Sequence, residues 1–197
     1  YSSVSNAGRN GGVYFSFNTS NTTYTDNQML QQTSGISNTD ELIAGVAYYH
    51  SSWTVLRSNA PIFQFRDSGG IQGGLIITDT GQLRIYTSSS YTAQVTSNST
   101  LEIGIWYYIE VRYKVNSSVG EIEVKLNGQP IISWTGNTNP RGTGVIDRIW
   151  MASTFRGTAG FDDIYILNTT GSTPFNTFLG PIRLDQVLPT VTGAFSD

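Results

Sequence analysis

The sequence predicts an all-β protein, a two-sheet antiparallel β-sandwich, and three observations predict it. Apolar residues arrive in short bursts rich in Val, Ile, Tyr, Phe and Trp, side chains that suit a pleated, half-buried surface. Clusters of Gly, Asn, Ser and Thr divide these bursts about every 8–12 residues, the spacing of strands and turns. No stretch much beyond about ten residues keeps the 3.6-residue period of an amphipathic helix.

Taken in chain order, strands are expected near 12–17, 41–50, 60–67, 73–79, 82–87, 91–97, 106–115, 120–127, 129–135, 145–153, 160–168 and 180–188. Residues 18–38 are polar and read as loop, with one helical turn around Asp26 to Gln31. The pairs Gly69-Gly70 and Gly73-Gly74 bracket Ile71-Gln72 and read as a flexible tip; no helix or Lys follows to make a phosphate cradle. ITDTGQLRIY reads as a hairpin with Gly81 in the left-handed position of its loop.

The strongest local evidence lies in IEVRYKV-NSSV-GEIEVKL. Glu110, Arg112 and Lys114 alternate with Val111, Tyr113 and Val115, giving one wet and one dry face. A connection through Asn116 to Val119 sets Lys114 opposite Glu121, Arg112 opposite Glu123 and Glu110 opposite Lys125, so the wet-face pairs are all of opposite charge. The same register sets Val111 beside Val124 and Tyr113 beside Ile122, and a slip of one residue would lose both matches. Asn127-Gly128 then supplies the positive-φ dipeptide of a type I′ turn. From Asn168 the chain is rich in Gly, Thr and Pro before LGPIRLDQVLP restores a strand. The expected division is an arm at 1–12, the sandwich at 13–189 and an arm or linker at 190–197.

Composition narrows the function. The chain has 197 residues, 13% of them charged, a net charge of −3 and only two lysines, Lys114 and Lys125. There is no basic stripe to meet phosphates or an anionic membrane, so nucleic acid and membrane are not expected partners. Cysteine is absent and His50 is the sole histidine, which removes thiolate chemistry, disulfides and a multi-histidine zinc site. A metal would have to be oxygen-bound. Because the sequence opens on Tyr1 rather than Met, it reads as a processed or excised portion of a longer product.

The run WYYIEVRYKV, then GEIEVKLNG, then GFDDIYI resembles the concanavalin A-like jelly roll of laminin-G and pentraxin-type domains. More narrowly, IEVRYKVNSSVGEIEVKLNG with FDDIYILNTTG and FLGPIRLDQVLP resembles domains of bacteriophage virion proteins, whether capsid-associated, fibre or tail. That resemblance implies a non-enzymatic structural or decoration module in a virion, docked to other virion proteins and oligomeric, a trimer being the guess for a fibre or a local threefold. The rival expectation is a lectin-like domain for a host surface glycan, with calcium as an optional aid.

Four residues are singled out as sites. Trp53 in the HSSW segment and Trp134, which shares the face of Ile132, are candidates to stack on a sugar ring. Trp106 reads as core. Asp162 and Asp163 are the candidate calcium ligands, against the plainer reading that an inward aspartate caps backbone N–H groups. Alternation places Asp163 on the face of Phe161 and Tyr165. The laminarinase-type E-x-D-x-E motif is missing: Glu121-Ile122-Glu123 is its nearest approach, and cross-strand pairing already accounts for both glutamates. No G-x-S-x-G elbow surrounds a serine, and no enzyme activity is expected.

Overall fold

The computed structural model describes residues 2–5, 8–11, 14–19, 28–32, 36–52, 60–153 and 157–184. Thirteen strands are present among them: β1 (Ser2–Ser5), β2 (Tyr14–Thr19), β3 (Gln28–Gln32), β4 (Glu41–His50), β5 (Ala60–Asp67), β6 (Gly70–Ile77), β7 (Gln82–Thr87), β8 (Thr92–Thr100), β9 (Tyr107–Lys114), β10 (Gly120–Leu126), β11 (Gln129–Gly136), β12 (Arg148–Ser153) and β13 (Gly157–Leu167). They form a seven-stranded sheet, β1-β2-β13-β4-β9-β10-β11, facing a six-stranded sheet, β3-β12-β5-β6-β7-β8. The edge strands β8 and β11 approach each other along one side of the sandwich.

The central hairpin has the expected register: Lys114 pairs with Glu121, Arg112 with Glu123, Glu110 with Lys125, Tyr113 with Ile122 and Val111 with Val124. Asn127 and Gly128 take φ of 51° and 81°, as the type I′ turn requires, and Gly81 is left-handed at 78°. The core fills from alternate residues of both sheets, Leu42, Val46, Tyr48, Val111 and Tyr113 meeting Phe63, Phe65, Leu75, Ile85 and Ile149. Phe65 stacks on Tyr113 across the interior at 4.9 Å. Complete burial of each such side chain contributes roughly 1.5–3 kcal/mol.

Several expectations are corrected. The helical turn around Asp26 to Gln31 does not form where the chain is described, because 28–32 is β3, laid against β12. The supposed flexible glycine tip belongs to β6 from Gly70 onward. Residues 180–184 are not a strand; they run across the outer face of the seven-stranded sheet, where Phe178, Leu179 and Ile182 cover Ile43, Ala47, Tyr108 and Tyr165. Residues 185–188 lie outside the described residues. Glu110 is therefore not on a wet face. It is fully buried beneath this strap, accepting hydrogen bonds from the Tyr165 hydroxyl at 2.5 Å and the Gly180 N–H at 2.8 Å. Although Glu123 is its register partner, Arg112 makes its ion pair with Glu41 of β4.

Candidate functional site

With Phe63, Phe65, Leu75, Ile85, Ile149 and Met151 pointing inward, the two-residue period of a strand sends Gln64, Arg66, Gly74, Tyr86, Arg148 and Trp150 to the outer face of the six-stranded sheet. The register aligns them in rows. Trp150 is opposite Gln64, Gln64 opposite Gly74 and Gly74 opposite Tyr86, while Arg148 is opposite Arg66 in the adjacent row. Gly74 is the floor of the row: a Cβ there would lie 2.0 Å from the Phe63 carbonyl oxygen and 2.9 Å from the Tyr86 hydroxyl. Tyr91, from the β7–β8 turn, packs its ring 4.8 Å from that of Tyr86.

Hydrogen bonds wire the face together. Arg66 Nη1 donates to Gln64 Oε1 at 3.0 Å, and Gln64 Nε2 donates to the Tyr91 hydroxyl oxygen at 3.2 Å. The Arg66 guanidinium sits 3.7 Å above the Trp150 ring centroid. On this face three buried polar atoms have no partner among the described residues: Arg66 Nε, the Tyr86 hydroxyl and Trp150 Nε1. Each such group costs about 1–3 kcal/mol in a finished fold, and folds retain few of them without a reason.

Nor does a carboxylate neutralise Arg66 among the described residues. Its neighbour Asp67 is engaged by Arg141 at 2.8 Å, by Thr143 at 2.6 Å and by the N–H groups of Gly69 and Gly70. Burial works to raise the Asp67 pKa, but the hydrogen bonds of Thr143, Gly69 and Arg141 outweigh it and hold the carboxyl below its ordinary value. Asp147 is taken by Arg148 at 2.7 Å. Burial lowers the Arg66 pKa, which still leaves a cation at neutral pH. Burial also pushes the Tyr86 phenol well above its ordinary value, so it stays protonated. The face thus holds a half-buried guanidinium whose buried Nε is unpartnered, beside the buried Trp150 N–H and Tyr86 phenol, the half-buried Tyr91 phenol and the Gln64 amide. That set suits a hydroxyl-rich anion.

The residues singled out from the sequence fall elsewhere. Trp134 is half-buried on β11, on the inner face with Ile132, packed against the core. Trp53 lies outside the described residues. Asp162 and Asp163 sit at a β-bulge in β13, with Asp163 in the left-handed region at φ 49°. The extra residue changes the phase of the strand: Phe161 and Ile164 both face the main core while Tyr165 faces out. The alternation that put Phe161 and Tyr165 on one face therefore fails. The two carboxylates fasten segments from near both chain ends. Asp163 accepts from the Leu184 N–H at 2.8 Å and from Arg9 and Asn10, and Asp162 accepts from the Arg9 N–H at 3.1 Å. No group of three His, Asp or Glu side chains among the described residues is placed to hold a metal ion.

Sequence reasoning missed the Arg66 face because it searched for paired acids and loop tryptophans. The signal was present as QFR, RIY and RIW on three strands. Read with period two, each puts an Arg and either an aromatic residue or Gln on a single face.

The arrangement of the sheets is shared with solved structures. An alginate lyase from Chlorella virus superposes with a TM-score of 0.58 at 12% identity, covering 84% of this chain and 88% of that one. A heptameric SAP-like pentraxin from Limulus polyphemus gives 0.52 at 13% identity, covering 74% and 72%. The fold is a concanavalin A-like jelly roll. A second alginate lyase, in complex with an alginate tetrasaccharide, gives 0.52 at 16% identity, covering 79% and 80%. No protein-family model and no curated protein matches the chain. The lyases correct one expectation. A missing E-x-D-x-E motif removes one glycosidase chemistry from this jelly roll, but the same architecture carries eliminative enzymes, so the inference that the chain is non-enzymatic does not stand.

Proposed function

We propose that this jelly roll recognises an acidic polysaccharide on the outer face of its six-stranded sheet. The observation that carries the reading is Arg66, a half-buried cation with an unpartnered Nε and no carboxylate in ion-pair contact among the described residues. A sugar carboxylate would supply the missing charge and acceptor together. Gln64, Tyr91 and the Trp150 N–H would then read the ring hydroxyls. The alginate named for two of the structural neighbours supports a uronate polymer as the class. The motifs that resemble phage virion domains supply a setting, in which the face meets a polysaccharide on the host surface.

A second reading, cleavage, is favoured by the alginate lyases among the structural neighbours. Eliminating a uronate requires its carboxylate to be neutralised, which the Arg66 guanidinium would do. The Tyr86 hydroxyl is fully buried and does not reach a glycosidic oxygen.

Calorimetric titration with uronate trisaccharides and their carboxyl-reduced counterparts tests the first reading. Binding of the charged sugars only, weakening as salt rises, supports it. Equal binding of both sets, or of neither, contradicts it. Appearance of unsaturated uronate ends during incubation identifies cleavage.

A further inference from the structure

A second cleft lies on the opposite side of the sandwich. It occupies about 270 Å³ on the outer face of the seven-stranded sheet and is lined by Tyr14, Tyr49, Ser51, Trp106 and Thr158. Trp106 was expected in the core, yet it stands half-buried at this outer face. Tyr14 meets it edge-on at 5.3 Å and Tyr49 lies tilted at 5.4 Å. Gly160 permits the assembly, since a Cβ there would come within 2.8 Å of both the Trp106 and Tyr14 rings.

Two features give this cleft a chemistry. Among the described residues its lining contains no charged side chain. Its polar atoms are also uncommitted: the Trp106 indole N–H and the Tyr14, Tyr49 and Thr158 hydroxyls make no hydrogen bond within the described residues, and none is among the buried unpartnered atoms, so they face solvent. Ser51 Oγ accepts from the Thr158 N–H at 2.8 Å, which leaves its proton to donate and pins the rim. Aromatic walls with outward hydroxyl and indole donors suit a flat, uncharged, hydroxylated ring. The volume is near the lower end of the roughly 300–1,000 Å³ of small-molecule sites, the scale of one or two sugar rings.

We propose that the Trp106 cleft is a separate binding site for a neutral pyranose, independent of the Arg66 face. The occupant is a neutral sugar and not an anion, because no cation lines the cleft among the described residues. It is not an apolar peptide, because each described lining residue carries a hydroxyl or N–H that such a ligand would strand.

The test is NMR observation of the Trp106 indole N–H during titration with maltotriose, cellotriose and mannotriose, on the wild-type chain and on Arg66→Gln. Saturable movement of that resonance with at least one sugar, unchanged in Arg66→Gln, is the expected result. Tyr49→Phe keeps the ring and removes one hydroxyl, and should weaken the response several-fold with the rest of the spectrum intact. Thr158→Val provides a second rim variant should Tyr49→Phe perturb the fold. No response to any of the three sugars overturns the proposal. So does movement driven by protein concentration alone with a dimer in sedimentation, which would make the cleft a self-association surface. Failure of the uronate titration leaves this result untouched, so the two sites stand or fall separately.

Discussion

Replacing Arg66 by Met separates function from stability. Met matches the length of the arginine stem, so little packing is lost. The substitution removes one unpartnered buried donor, a gain of about 1–3 kcal/mol. Against this stand the contact over Trp150 at 3.7 Å, worth about 0.5–2 kcal/mol, and the charge-assisted bond to Gln64 at 3.0 Å, worth about 1.5–3 kcal/mol. These contributions offset one another only in part, and urea denaturation should find Arg66→Met folded and destabilised by about 1–2 kcal/mol. Binding has no such compensation. Loss of the guanidinium proposed to face a sugar carboxylate should cost about 2–5 kcal/mol, at least a tenfold fall in affinity for uronate oligosaccharides by calorimetry. Unchanged affinity in a stable Arg66→Met protein would falsify the assignment of the face.

Three further outcomes follow from the same geometry. Burial lowers the His50 pKa from 6.5 to about 4, so the unfolded imidazole takes up a proton that the native one refuses. Stability should be full above about pH 6.5 and fall by about 3 kcal/mol as pH drops towards 4. Since His50 is the only histidine, its ring protons report directly, and a native midpoint near 6.5 would contradict the burial argument. Asp163→Asn keeps a residue tolerated at φ 49° but weakens the grip on Arg9 and Leu184. Hydrogen exchange should quicken across 178–184 while β9 and β10 stay protected, and uniform protection would refute the fastening role. Phe161→Ala removes a fully buried ring packed edge-on to Tyr48 at 5.3 Å, and chemical denaturation should register about 3–5 kcal/mol lost.

The legible parts of the fold were those where one local rule decided the outcome. The hairpin of β9 and β10 was readable because charge pairing, apolar pairing and loop length all specify one register. The Asn127-Gly128 turn was readable because few dipeptides accept two positive φ values. What stayed hidden depended on distant chain. Glu110 looked exposed because its own strand alternates, and only the strap at 178–182 buries it. The bulge after Asp162 cannot be seen in GFDDIYI, where strict alternation is equally consistent with the letters. β3 was missed because QMLQQ is polar enough to pass for loop, and its pairing with β12 is a tertiary fact.

The candidate site shows the same division. Arg66, Arg148 and Trp150 could have been assigned to one face from period two alone. That Arg66 lacks a carboxylate could not, because Asp67 is its neighbour in sequence and is drawn away by Arg141 and Thr143 from a loop more than seventy residues on. The placement of Trp106 at an outer face has a related cause. Which side of a sheet is covered depends on the second sheet and on the strap, and neither is written in the strand itself.

Amide and indole chemical-shift mapping with a uronate trisaccharide addresses the central assignment most directly. The account predicts saturable shifts at the Trp150 indole, Gln64, Gly74 and Tyr91, with β9 and β10 silent. Shifts confined to the seven-stranded sheet, or none at saturating sugar, would contradict it.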